Sequence, residues 1–171
     1  MVAFAEGLSE YNAHEHNLFG VRSPDIVAGY IKAAETWPSI VSEITKKEWR
    51  ARTVLCSRHG NNCLRVLHRP TAVARDSKVF LLVGSDTLGY YHDVMWVQDG
   101  WDIQLVEGVA TQSTDGVQST LISWAKPKSL PQQIPKHTQD HLRELLTAGG
   151  PGILMQNDTL VFPLVAAKGK N

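Results

Sequence analysis

The dipeptides Asp99-Gly100 and Asp115-Gly116, each lying between β-rich runs, constrain this chain more than any other feature. Asp-Gly readily adopts the positive-φ conformations of a tight hairpin turn, so each pair predicts two antiparallel strands joined by a short loop. A two-residue loop at Asp99-Gly100 sets Gln98 opposite Trp101, Trp96 opposite Ile103 and Val94 opposite Leu105. One face then collects Val94, Trp96, Trp101, Ile103 and Leu105, and the other collects Asp93, Met95, Val97, Asp102, Gln104 and Val106. Turn chemistry and alternation agree on this register. The stretch from Val79 to Trp124 is therefore expected to be the sheet that organises the chain, with Trp96 and Ile103 paired and buried.

Ser23-Pro24-Asp25 has the composition of a helix start, with a capping hydroxyl, proline in the first turn and an acid near the positive end. Ile26, Val27, Tyr30, Ile31 and Ala34 follow at helical spacing. Pro38 interrupts that pattern, and a second helix over Ile40, Val41 and Ile44 is expected to end near Trp49 or Arg50. Thr53 to Cys56 and Leu64 to Leu67 read as short strands around the turn His59-Gly60-Asn61-Asn62, with an edge strand over Thr71 to Ala74 after Pro70. Val79 to Val83 is apolar on both faces and reads as a central strand covered twice.

Prolines 127, 131 and 135 mark an extended connection over 125–136. Thr138 then predicts a capped helix through Leu142, Leu145 and Leu146, stopped at Gly149-Gly150-Pro151. A last hairpin turns at Asn157-Asp158, pairing Met155 with Leu160 and Leu154 with Val161. The expected fold is α+β in one domain, 1–171, built on a mainly antiparallel twisted sheet of about six to eight strands. Residues 1–50 form its helical part, 52–124 its sheet, and 137–171 a helix plus hairpin.

No apolar run approaches the ~20 residues that span a bilayer, so no membrane partner is expected. Nothing resembles a secretory leader, and with two cysteines this predicts free thiols in a reducing cytoplasm. The net charge is zero but unevenly spread. Residues 46–69 carry seven bases, Lys46, Lys47, Arg50, Arg52, Arg58, Arg65 and Arg69, against Glu48 alone. Such a block is a solvated face, a partner for the acidic sheet, or a patch for a phosphate backbone. Trp49 among the arginines offers a base a surface to stack on.

Three functional readings follow. The first is a non-enzymatic assembly or adaptor domain acting on another protein or its own copy as a homodimer, with RNA or DNA contacted through residues 46–69. Five tryptophans and the doubly apolar terminal hairpin favour it. The second is a small cysteine hydrolase, with Cys63 or Cys56 as nucleophile and His92, His59 or His68 as base. Glu107, on the core face by parity with Trp101, is a candidate acid or base there unless a bulge at Gly108 or a rim position exposes it. The third is a zinc domain using Cys56, His59, Cys63 and His68. Against it, Cys63 and His68 are an odd number of residues apart and would point to opposite faces of a strand. No cofactor and no metal are expected on balance.

Overall fold

Buried Ile26 and Ala28 alternate with half-buried Asp25 and Val27 along Pro24–Tyr30. That is the period of a strand, and the segment forms one. The computed structural model describes residues 1–8, 24–31, 36–56, 59–60, 63–91, 95–111, 121–139 and 141–169. In chain order these form β1 (Val2–Leu8), β2 (Pro24–Tyr30), α1 (Trp37–Ile44), β3 (Ala51–Leu55), β4 (His59–Gly60), β5 (Cys63–Arg75) and β6 (Lys78–Tyr91). There follow β7 (Met95–Thr111), β8 (Leu121–Trp124), β9 (Lys128–Ser129) and α2 (Lys136–Gln139). The last are β10 (Leu142–Thr147), β11 (Gly150–Pro151), β12 (Ile153–Leu154), β13 (Leu160–Val161) and β14 (Leu164–Lys168).

Strands dominate, and the α+β expectation is overturned: the two α-helices among the described residues are short and bury no side chain. The apparent helix start at Pro24 opens β2. The expected helix after Thr138 is β10, where Leu145 and Thr147 are buried on alternate positions. Both segments contain spacings compatible with either period. Pairing with distant strands decides between them, β2 against β1 and β10 against β14. The helix over Ile40, Val41 and Ile44 does form, capped by Thr36, but it ends at Ile44, well before Trp49.

The main sheet is an antiparallel meander, β5-β6-β7-β8. The short β11 lies parallel to β5 on its free edge. β6 is the central strand, as its two apolar faces suggest. Leu81 and Val83 pack with Leu67, Val106 and Ile26 of β2, while Leu82 packs with Ile103 and Leu145 of β10. The meander is thus sandwiched between the three-stranded sheet β1-β2-β3 and the β10-β14 pair. Trp49 locks the first of these layers. Its Nε1 donates to the Tyr30 carbonyl at 3.0 Å, and its ring covers Gly29 so closely that a Cβ there would collide with it.

The hairpin at Asp99-Gly100 does not exist. β7 runs straight through it, with Thr87 opposite Gly100 and Leu88 opposite Gln98, so Asp99 is the extra residue of a β-bulge. Trp96 pairs with Tyr90, and Ile103 with Gly84. Ile103 is buried; the Trp96 side chain lies outside the described residues. The tight turn is Asp76-Ser77 between the paired Arg75 and Lys78, with Asp76 at φ +52°. The turn proposed at Asp115-Gly116 lies outside the described residues. The terminal hairpin is shifted by one from expectation: Leu154 pairs with Leu160 and Ile153 with Val161. Five residues separate the paired Leu154 and Leu160, with Asp158 at φ +65°.

Candidate functional site

β5 is the strand at which all the layers meet, and in its middle the ladder breaks. Pro70 has no N–H to give, and the pairing with β6 shifts between His68 and Thr71. The gap is filled from outside the sheet. The Gly84 amide donates to Thr147 Oγ1 at 3.0 Å, and the Thr147 hydroxyl donates to the His68 carbonyl at 3.3 Å. One buried hydroxyl from β10 therefore links two residues that face each other across β5 and β6. Glycine is required at 84, because a Cβ there would strike the His68 ring.

The same peptide unit is held at its other end. The Arg69 N–H donates to Glu6 Oε1 at 2.7 Å, a bond from β5 to β1. The His68-Arg69 peptide is thus clamped between the sheets on either side of the meander. Arg69 is left at φ +50°, a left-handed conformation that costs an ordinary residue about 1–2 kcal/mol. Next to it the chain turns through Gly149 and Gly150 at φ +79° and +77°, which glycine alone adopts freely. A Cβ on Gly149 would lie 3.8 Å from that of Arg69.

Below this kink is a cluster of polar side chains in an otherwise apolar layer. His68 Nε2 lies 3.5 Å from Asp86 Oδ2, and Asp86 Oδ1 accepts from Gln98 Nε2 at 3.1 Å. Thr71, fully buried, and both His68 ring nitrogens have no hydrogen-bond partner among the described residues. The histidine–carboxylate approach is at the limit of an ion pair and too poorly aligned for a hydrogen bond. Glu6 meets the kink from the β1 side, whereas Asp86, with His68, and the fully buried Thr147 belong to the β10 side of the meander. The exposed Arg69 guanidinium has no partner among the described residues.

Of the described basic residues in 46–69, Arg69 alone joins this junction. Lys46 and Lys47 follow α1 and are exposed; Arg50 folds back onto the carbonyls of Lys47 and Trp49. Arg52 is exposed on β3, Arg65 lies on β5 with interactions of its own, and Arg58 is outside the described residues. Trp49 is occupied with Gly29 and Tyr30, so it offers no stacking platform. Glu6, Asp86 and Thr147 gave no local signal, and Pro70, read as a break before an edge strand, lies inside β5.

The residues of the other readings are scattered. Cys56 is exposed past the end of β3, and His92 lies outside the described residues. His59 and Cys63 are placed on β4 and β5, but their side chains are not among those described. No group of three metal-ligating side chains occurs among the described residues. Glu107 faces outward: its Oε1 accepts from Lys128 Nζ at 2.8 Å. That hydrogen bond, with the lysine's charge, holds the carboxyl below its ordinary value of 4.5. Because the folded value is depressed, the stabilisation is present above pH 4.5 and is lost as the pH falls through the folded value. The pair is exposed, so Lys128→Met is expected to change stability by no more than about 1 kcal/mol at neutral pH. The difference should vanish in acid, as urea titrations at several pH values would show.

A family model described as BNR repeat-like domain matches residues 1–171. Sialidase 85-1.1 of Trypanosoma cruzi is 36% identical over 171 residues, which are 99% of this chain and 22% of that protein. Two solved structures of Trypanosoma rangeli sialidase superpose on 98% of this chain and 24% of theirs. The complex with sialic acid has a TM-score of 0.68 at 22% identity. The complex with 2,3-difluoro-KDN has one of 0.67 at 23% identity. The chain thus spans about a quarter of these proteins or less, and its stacked sheets share their propeller-like fold. These matches overturn the assembly-factor and nucleic-acid readings, and with them the cysteine-hydrolase and zinc readings.

Proposed function

This chain belongs to the BNR repeat-like domain family, and on that premise we propose that it is a carbohydrate-recognising part of a sialidase-like protein, with glycosides of sialic acid as its ligands. The observation that carries this reading is the 36% identity to Sialidase 85-1.1 along 99% of the chain. Similarity sustained over the whole length supports the same stack of sheets in both proteins.

The junction supplies what such a ligand needs. A sugar binds through many hydrogen bonds of modest individual worth, and an acidic sugar adds one charge-assisted contact. Glu6, exposed on β1, offers an acceptor for hydroxyl groups, and the exposed Arg69 offers donors. Both side chains arise from strands rather than loops, so little ordering is lost on binding.

The test is a calorimetric titration of the full chain with sialyllactose and with lactose. Sialyllactose should bind at least about tenfold more tightly, a preference of about 1.4 kcal/mol. Equal affinity for the two sugars, or no affinity for either, would overturn the proposal. A parallel measurement of sialic acid released from sialyllactose reports whether cleavage accompanies binding.

A further inference from the structure

We propose that Asn157 is an acceptor for an N-linked oligosaccharide, and that the attached sugar covers the exposed apolar residues of the terminal hairpin. The inference stands apart from the carbohydrate-recognition reading, because here a sugar is carried by the chain and not bound by it.

Asn157-Asp158-Thr159 is the one Asn-x-Ser/Thr triplet in the sequence. This is the acceptor pattern for N-linked sugars when the middle residue is not proline. The triplet falls in the loop between β12 and β13, where residues 155–159 are all exposed. An acceptor must stand clear of the fold, because the incoming oligosaccharide is bulky. The loop also has a defined shape. The Thr159 N–H donates to Asn157 Oδ1 at 3.3 Å, an Asx turn that leaves the amide nitrogen Nδ2 outside the bond. Asp158, at φ +65°, turns its carboxylate back to Arg75 Nη2 of β5 at 2.9 Å. Asn157 Nδ2 and Thr159 Oγ1 make no hydrogen bond among the described residues. Turn chemistry accounts for the asparagine and for the left-handed aspartate, but not for the hydroxyl that follows.

The surroundings supply a reason for a glycan at this place. Ile153 is 63% exposed, and Leu154, Met155 and Val161 are exposed beside it in the same hairpin. Neighbouring apolar side chains left bare promote association. An oligosaccharide anchored at the loop above them is solubilising and keeps other molecules away.

The transfer needs a saccharide carried on a polyprenyl pyrophosphate and the transferase that uses it. A bond forms between Asn157 Nδ2 and the anomeric carbon, and the bond from that carbon to the pyrophosphate oxygen breaks. The lipid pyrophosphate leaves with the electron pair, and the amide gives up one proton to the transferase. The reaction belongs to the secretory lumen, so on this proposal the chain passes through that lumen and does not stay in the cytoplasm.

The experiment produces the full chain behind a cleavable secretory leader in a eukaryotic host. Its intact mass is measured before and after an amidase removes N-linked sugars. Wild type should carry one oligosaccharide, and its removal should convert Asn157 to aspartate in the mapped peptide. Asn157→Gln and Thr159→Ala should carry none, and Thr159→Ser should keep it. The same set translated with microsomes gives the answer by mobility shift even for a variant that does not fold. An unmodified wild-type product in either assay overturns the proposal. So does an oligosaccharide mapped only to other residues or retained by Asn157→Gln. After amidase treatment the protein should bind more of a dye for apolar surface and form larger species. Unchanged dye binding and size would overturn the covering role.

Discussion

Leu81→Ala lowers the free energy of unfolding by about 2–5 kcal/mol, the range for truncating a large buried aliphatic side chain. Leu81 is completely buried on the central strand β6, within the cluster that joins the meander to β2 through Ile26. Its neighbours Leu67, Val83 and Val106 are held in paired strands and cannot collapse into the space, which places the cost toward the upper part of that range. Urea unfolding should show a lower midpoint with an unchanged slope. A loss below about 1 kcal/mol would mean that the first layer does not pack on the meander as described.

Thr147→Val is the second large effect, and it reaches the junction itself. The substitution keeps the shape and removes only the hydroxyl. It leaves the buried Gly84 N–H and the His68 carbonyl without the partner that Thr147 gives each of them. Each unsatisfied group costs about 1–3 kcal/mol, so a loss of about 2–5 kcal/mol is expected. Thr147→Ser retains the hydroxyl and should lose clearly less, since only a methyl group is removed. Equal stability of the valine variant and wild type would show that the hydroxyl does not close the gap in the ladder.

The strands around Val79 were legible because the segment is apolar on both faces, and β6 is indeed covered on both. The Asp-Gly signal misled at Asp99 because one dipeptide serves both a two-residue turn and a bulge. A pairing partner elsewhere in the sheet, Thr87 and Leu88 of β6, selects the bulge. The two false helices share a cause. Ile26 to Ile31 and Leu142 to Leu146 contain apolar spacings compatible with either period, and strands distant in sequence settle the choice. Of the junction, Arg69 stood out through the charge block, while Pro70 read as a break before an edge strand and instead lies within β5. Glu6, Asp86 and Thr147 were invisible because they become neighbours only through tertiary contact.

That dependence on tertiary contact gives the junction a place in time. β5, β6 and β7 are joined by short connections and can pair soon after collapse, because little loop entropy opposes them. Glu6 reaches Arg69 across 63 residues on one side, while Thr147 reaches Gly84 across 63 and His68 across 79 on the other. The peptide that positions Arg69 is therefore fixed only after both outer layers have docked on the meander. The surface proposed for binding is thus completed at the last step of folding, and a partly folded chain lacks it.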